Sequence, residues 1–484
     1  MDFLSKLDGS DRPPRQVQID TLTWLQKSWT KYDTFVLDLG VGTGKSFVAR
    51  AIQRTVGGHV ITPSNQLIDQ YLDTYPTVNY LKGMTHYECS NGISCYDKVK
   101  VLERRPCEGC PYYRNRGRAE DGRASFLNPM SFATLENKRP RVAIFDEAHL
   151  LSGILLDSAG YTFHKSKFTF SSKMENEIDI LKWIKREYNK LDTLVQLAKS
   201  KDKIQILSKA LKIKNRLDPI YRAMAVEPEK FYTKYDKLEG TLRILPLFVP
   251  EEISKPFKLA NKIILMSGTI TQETINTLGK GRIGRFSPES PIPMENRKVL
   301  FDPSPEIINQ RTPPEVVLEY IKNVLTKYRK NNENTLIHLP YKWQDKLRPI
   351  VPSNWITHDK DNKLRAIKKF KENGGILLGS GMSEGVDFPD DQCRLNIIPI
   401  INRPNIGDVY VSKRMNLEGG QIWYDEQTLV NTIQRIGRST RGAEDYSLTV
   451  ISDPLFSTVV NRNHGKIDKS TLINNVVWKS IDNV

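Results

Sequence analysis

The stretch Leu39-Gly40-Val41-Gly42-Thr43-Gly44-Lys45-Ser46 limits what this chain can fold into more than any other feature. The apolar run from Thr34 to Leu39 precedes it and reads as a buried strand. Ser46 to Val56 reads as a helix closed by Gly57-Gly58, and His59 to Thr62 is strand-like again. Strand, glycine-rich loop, helix and strand is the order that a phosphate-binding loop requires. The glycines at 40, 42 and 44, with Thr43 among them, let successive backbone N–H groups curl around phosphate oxygens, and the helix N-terminus adds partial positive charge. Lys45 has the reach for β- and γ-phosphates, and the Ser46 hydroxyl suits Mg²⁺. The strict motif has Gly where Leu39 stands, but its second half is intact. The loop predicts an α/β protein that binds a nucleoside triphosphate. It does not separate a motor from a small-molecule kinase.

Two further segments make that separation. Arg141-Val-Ala-Ile-Phe-Asp146-Glu147-Ala-His149 reads as a strand ending in acids. Asp146 is placed to hold Mg²⁺ and Glu147 to orient and deprotonate an attacking water. His149 has no second histidine at helical spacing and is assigned to coupling between the nucleotide state and the rest of the chain. Gln434-Arg-Ile-Gly-Arg438-Ser-Thr-Arg441 presents two arginines three apart, read as one helical turn. Guanidinium groups suit bidentate contact with a γ-phosphate. Carried by a second domain, they would complete the site on closure.

The net charge of +16 points to a polyanionic partner. Between Lys182 and Arg216 stand eleven Lys/Arg and three Asp/Glu, so half of the net charge lies in a small part of the chain. Four of the five cysteines, Cys89, Cys95, Cys107 and Cys110, fall between the phosphate loop and the acidic segment, while Cys393 stands alone. Five cysteines in 484 residues do not make a disulfide framework. Four thiolates can hold a [4Fe–4S] cluster or a tetrahedral Zn²⁺, and spacing alone does not separate the two. Nearby stand Tyr87, Tyr96, Tyr112, Tyr113, Arg114, Arg116, Arg118 and Arg123. These tyrosines either stack on bases or pack around the metal group. No apolar run approaches a membrane span, and the N-terminus lacks a secretory pattern, so a cytoplasmic protein is expected.

In this order along the chain, the motifs resemble those of superfamily 2 helicases, specifically the XPD/DinG family of iron–sulfur DNA helicases. Pro14-Arg-Gln16 is similar to the family's adenine-contacting glutamine motif, and Ile61 to Leu67 to motif Ia on the DNA side. Leu81 to Cys89 is similar to the entry into the cluster domain, Asp146 to His149 to motif II, and Leu265-Met-Ser267-Gly268-Thr269 to motif III with Gly268 where Ala is usual. Motif IV is weak around Thr335 to Pro340. Gly379 to Phe388 matches motif V, with Glu384 and Asp387 on the nucleotide side, and Gln434 to Arg441 matches motif VI, followed by Ser452-Asp453-Pro-Leu-Phe456. The cysteine spacing is compact relative to the family's.

The resemblance implies an ATP- and Mg²⁺-dependent DEAH-box helicase with a [4Fe–4S] cluster on the four cysteines, Zn²⁺ being the alternative. It implies translocation 5′→3′ on single-stranded DNA and unwinding of forked or tailed duplexes. It fits a monomeric motor in a bacterial or phage-infected cell, with room for a loading protein. A non-unwinding translocase or remodeller, and an ATP-switched nucleic-acid scaffold, are the other readings. The implied architecture is two RecA-like motor domains. The first is discontinuous over 1–80, 127–155 and 241–290, interrupted by a cluster domain at 81–126 and a helical, arch-like insert at 156–240. The second spans 291–484. Leu181, Ile184, Tyr188, Leu191 and Val195 carry the helical period of the second insert. Helices at Glu315 to Lys330 and Lys363 to Asn373, with strands at Asn334 to Leu339 and Ile376 to Leu378, predict a second parallel sheet.

Overall fold

A computed structural model describes residues 2–7, 13–40, 42–89, 92–102, 104–136, 140–166, 168, 177–201, 203–236, 239–309, 311–359, 361–382, 387–440, 442, 444–463 and 476–478. Along the chain, β1 (Thr34–Asp38), β2 (His59–Ile61), β3 (Asn79–Leu81), β4 (Ser125–Leu127) and β5 (Val142–Asp146) come first. A separate group follows, β6 (Tyr161–His164), β7 (Phe231–Asp236) and β8 (Thr241–Pro246), and then β9 (Lys262–Ser267) and β10 (Ile283–Phe286). β1 to β5 with β9 and β10 form one seven-stranded sheet, in the order β10-β1-β9-β5-β2-β4-β3. Every pairing in it is parallel.

Near-continuous apolar runs suit such a sheet because both of its faces are covered. Successive residues of β5 and β9 point to opposite faces, so Ala143, Phe145, Ile263 and Leu265 fill one core while Val142, Ile144, Ile264 and Met266 fill the other. The helices α1 (Gln16–Ser28), α2 (Lys45–Val56) and α3 (Asn65–Thr74) belong to this unit.

A second all-parallel sheet has β11 (Arg297–Phe301), β12 (Thr335–His338), β13 (Ile376–Gly379), β14 (Leu395–Ile398), β15 (Ser447–Ile451) and β16 (Val476–Trp478), ordered β13-β12-β14-β15-β11-β16. The architecture is therefore α/β with two parallel sheets.

Two insertions leave the first sheet. One departs after β3 and returns at β4, which are hydrogen-bonded neighbours, so a whole subdomain is added without disturbing the sheet. The other departs beyond β5. Its helices Glu177–Ser200 and Ile204–Val226 pack side by side, burying Trp183, Ile184, Leu191 and Val195 against Leu207, Leu217 and Ile220. The expected all-helical character needs correction. β6, β8 and β7 form an antiparallel sheet, and Phe163, Phe231, Leu242 and Ile244 share the helices' core. Since β8 pairs with both β6 and β7, this insert extends to Pro246 rather than ending at 240. Among the described residues no helix is long and apolar enough to cross a membrane.

Candidate active site

The phosphate loop runs from the end of β1 into α2. Gly42 and Gly44 hold φ values of 78° and 76°, a left-handed backbone that glycine adopts without steric cost. The Thr43 hydroxyl donates to the Gly40 carbonyl at 2.8 Å and ties the loop across itself. Gly268, in the turn after β9, lies against this loop. A Cβ there would stand 3.1 Å from the Gly40 Cα, which gives the glycine in motif III a steric reason.

Lys45 and Ser46 begin α2. The Lys45 Nζ lies 3.0 Å from the Glu147 Oε1, so the loop cation meets the acid at the end of β5. Asp146 is 5% exposed, and its Oδ2 accepts from the Tyr71 hydroxyl at 2.8 Å. Its Oδ1 accepts from the Glu147 N–H at 3.0 Å. Burial, and then the neighbouring Glu147 carboxylate, push the Asp146 carboxyl up to about 6. Burial also acts to raise Glu147, but Lys45, His149 and Arg438 together outweigh it and hold that carboxyl below its ordinary value. The site thus sets two adjacent carboxyls apart, as a metal ligand beside a base requires. Glu147 is also left-handed, with φ 46°. Such backbone costs about 1–3 kcal/mol for a residue with a Cβ and clusters at functional sites.

The neighbouring sheet supplies the rest. The helix Gly420–Ile436 carries Gln434 near its C-terminus. The Gln434 Nε2 stands 3.4 Å from the His149 Nε2 and 3.3 Å from the Thr269 hydroxyl. With that amide donating, the His149 Nε2 accepts, and its Nδ1–H donates to the Ser267 hydroxyl at 2.7 Å. The imidazole is thereby neutral, in accord with burial lowering it to about 4. The Arg438 Nη2 donates to the Gln434 Oε1 at 3.1 Å, and its Nη1 pairs with the Asp387 Oδ1 at 3.0 Å. A continuous polar chain, Ser267–His149–Gln434–Arg438–Asp387, therefore joins segments following β9, β5 and β13 with the end of that helix. Arg438 lies beyond the last helical residue, Ile436, so the expected single helical turn does not extend through it. Glu384 and Arg441 lie outside the described residues.

These groups face one cavity of about 870 Å³ whose lining includes Gly40, Thr43, Lys45, Glu147, His149, Asp387, Gln434 and Arg438. Gln16 is not brought to the phosphate loop. Its exposed amide bonds Asp20 at 2.8 Å. Gln18, two residues on, stands at the loop. Its Oε1 accepts from the Arg15 N–H at 3.0 Å, and its Nε2 would lie 2.2 Å from a Cβ at Gly44. The Arg15 guanidinium donates to the Gly42 carbonyl. Sequence reasoning missed Gln18, whose only signal was its helical register with the apolar Val17 and Leu22.

The four cysteines of the first insert come together from separate segments. The Cys95 and Cys110 sulfurs are 3.7 Å apart, and Cys89 is hydrogen-bonded to Cys107. The Lys98 Nζ donates to the Cys107 Sγ at 3.2 Å. Burial and then Cys110 push the Cys95 thiol up to about 12, so the thiols are neutral until a cation joins them. The donor set is that of a four-thiolate group, and 3.7 Å is close to the edge of a tetrahedron with ~2.3 Å metal–sulfur bonds. The thiols stand as two close pairs. Among the described residues no three or more His, Cys, Asp or Glu side chains are arranged around one shared metal position. Tyr87 and Tyr112 are buried with ring centroids 5.5 Å apart, so they pack around the cysteines, whereas Arg114 and Arg118 are exposed.

Residues 318–467 match the helicase C-terminal domain family. Over 96% of its length the chain is similar to the solved structure of an XPD helicase, at 17% identity and a TM-score of 0.61, covering 99% of that chain. It is likewise similar to S. tokodaii Xpd4, at 13% identity and a TM-score of 0.58, over 96% of this chain and 100% of that one. An apo XPD structure matches at 14% identity with a TM-score of 0.55, again over 96% and 100% of the two chains. The fold is that of an XPD-like superfamily 2 helicase.

Proposed function

We propose that this chain is an ATP-dependent DNA helicase that translocates 5′→3′ on single-stranded DNA and separates duplexes with single-stranded tails. The observation that carries this reading is the cross-cleft chain from Ser267 through His149, Gln434 and Arg438 to Asp387. It links the two parallel sheets beside the phosphate loop, where the presence of a γ-phosphate can be converted into relative movement. Lys45 and the loop amides hold the phosphates, while Ser46 and Asp146 hold Mg²⁺, which neutralises charge on the β- and γ-oxygens when bound. Glu147 orients and deprotonates the attacking water. Gln434 reads the γ-phosphate, and Arg438 with Arg441 stabilises the charge that develops on it. Glu384 and Asp387 belong to the nucleotide side of the second sheet.

Cys89, Cys95, Cys107 and Cys110 are read as the ligands of a [4Fe–4S] cluster, with Zn²⁺ the alternative. Either would fix a small rigid subdomain where strands part. Lysines on the helices of the second insert supply sequence-independent attraction for the phosphate backbone.

The test is ATPase activity with and without single-stranded DNA, together with unwinding of 5′- and 3′-tailed duplexes. Glu147→Gln is expected to bind ATP and lose turnover by about 10²-fold or more. Unwinding of only the 5′-tailed duplex supports the proposal. ATPase stimulation without strand separation would assign a translocase instead, and full turnover by Glu147→Gln would refute the site. Iron, sulfide and zinc assays on anaerobically purified protein decide the metal group.

A further inference from the structure

One cation in the cavity has no task in this reading. Arg297 opens β11 and lines the cavity on the side of the second sheet, near Ser290 and Thr440. It is 7% exposed, and its Nε reaches no hydrogen-bond acceptor. Among the described residues no carboxylate offsets its charge, and burial alone lowers its guanidinium to about 10. Other inward-facing arginines differ. Arg414 pairs with Glu273, Arg394 with Asp445 and Arg438 with Asp387. Arg435, also held down by burial, donates to the Ile400 carbonyl and does not line the cavity.

Burying a charge without a partner is strongly unfavourable, and the usual compensation is an opposite charge or a metal ligand set. A guanidinium facing an open cavity lacks one component, and that component must be an anion. The cavity is the one into which Lys45 and the glycine loop project, so the anion at hand is the nucleotide's polyphosphate. We infer that Arg297 binds a polyphosphate oxygen of the nucleotide, and that the second sheet thus contributes an anchoring cation besides Arg438. Arg438 is already engaged with Asp387 and Gln434. Arg297 is free to bind ligand without first breaking an ion pair. The inference rests on the cavity being the ATP site.

Arg297→Met keeps length and apolar packing while removing the charge. The test is calorimetric binding of AMP-PNP, ADP and AMP in Mg²⁺ to wild type, Arg297→Met and Arg297→Lys, with melting of each protein free of nucleotide. Losing one charge-assisted hydrogen bond is expected to weaken AMP-PNP and ADP about ten-fold or more in Arg297→Met. AMP binding should be unchanged and Arg297→Lys intermediate, because lysine keeps the charge but not the fork. Nucleotide-free Arg297→Met should melt at the same temperature as wild type or higher, since an uncompensated charge has left the interior. Unchanged AMP-PNP affinity in Arg297→Met overturns the inference. So does an equal loss for AMP, or a lower melting temperature, either of which would make the residue structural. A wild type that binds none of the three nucleotides overturns the cavity assignment and the inference with it.

Discussion

Asp146→Asn, in protein freed of nucleotide and Mg²⁺, tests whether the acidic pair is held in the strained electrostatic state described above. The Asp146 carboxyl is 5% exposed and pushed up to about 6 by burial and Glu147. In the unfolded chain it titrates near ~3.9, so the ionised form disfavours the folded state. That penalty is absent well below the unfolded value, grows as pH rises towards 6, and is complete above it. From the two values it is roughly 1 kcal/mol at pH 4.5 and roughly 3 kcal/mol at pH 7.5.

Asparagine removes the charge but has one acceptor oxygen where the carboxylate has two. One of the two donors, the Tyr71 hydroxyl or the Glu147 N–H, is then left without its partner, which costs about 1–3 kcal/mol at any pH. The stability of Asp146→Asn relative to wild type should therefore improve by roughly 2 kcal/mol between pH 4.5 and pH 7.5. At about 2–4 °C per kcal/mol, melting temperatures should move in the variant's favour by several degrees across that range. The assay is paired thermal melts in EDTA at stepped pH, with ATPase activity lost in the same variant. A melting difference that does not change with pH, or that shrinks as pH rises, refutes the electrostatic account of the site.

Tyr71→Phe keeps the ring against Phe126, at 4.9 Å, and removes only the hydroxyl that holds Asp146, so the Mg²⁺ concentration giving half-maximal ATPase should rise ~10-fold or more. An unchanged Mg²⁺ dependence would make that hydroxyl merely structural. Arg414→Ala leaves the Glu273 carboxylate buried without its partner and strips a cation from the Trp423 ring 4.0 Å away, so stability should fall by about 3–5 kcal/mol, read as a lower melting temperature. Retention of the wild-type melting temperature would show that the pair contributes nothing to holding the two sheets together.

What could be read from the sequence was what is encoded locally. The strand, loop and helix around Lys45 lie in one short segment, and the helix Lys363–Asn373 ends at a glycine pair with the bounds its pattern predicts. A parallel sheet is legible because each strand carries its own apolar run. The antiparallel sheet of the second insert was not. β6 and β7 are separated by two long helices, and the mixed run Phe-Tyr-Thr-Lys-Tyr-Asp of β7 has no turn marker joining it to β6. The exchange of Gln16 for Gln18 is a matter of register. Two residues along a helix turn a side chain by about 200°, so a motif matched by composition fixes the turn of helix but not the face. The Tyr71–Asp146 bond, 75 residues apart in sequence, exists only once β4 and β5 have placed α3 beside the acidic strand.

The same limit applies to how the two sheets meet, and here the structure adds a constraint on any motor mechanism. They touch at a second place besides the cleft. The Glu426 Oε1 accepts from the Gln272 N–H at 2.8 Å, so a carboxylate from the second sheet's helix caps the first turn of Gln272–Leu278. Beside it Arg414 pairs with Glu273 while lying between Phe248 and Trp423. Glu426 and Gln434 share the helix Gly420–Ile436, eight residues and therefore about 12 Å apart. The Gln434 end makes long contacts, at 3.3 and 3.4 Å, with partners that a γ-phosphate would replace. The Glu426 end is buried and makes a short one. A rigid helix held tightly at one end and loosely at the other can only pivot about the tight end. Movement driven by ATP is thereby directed to the Gln434 and Arg438 end, and the buried clasp acts as the hinge.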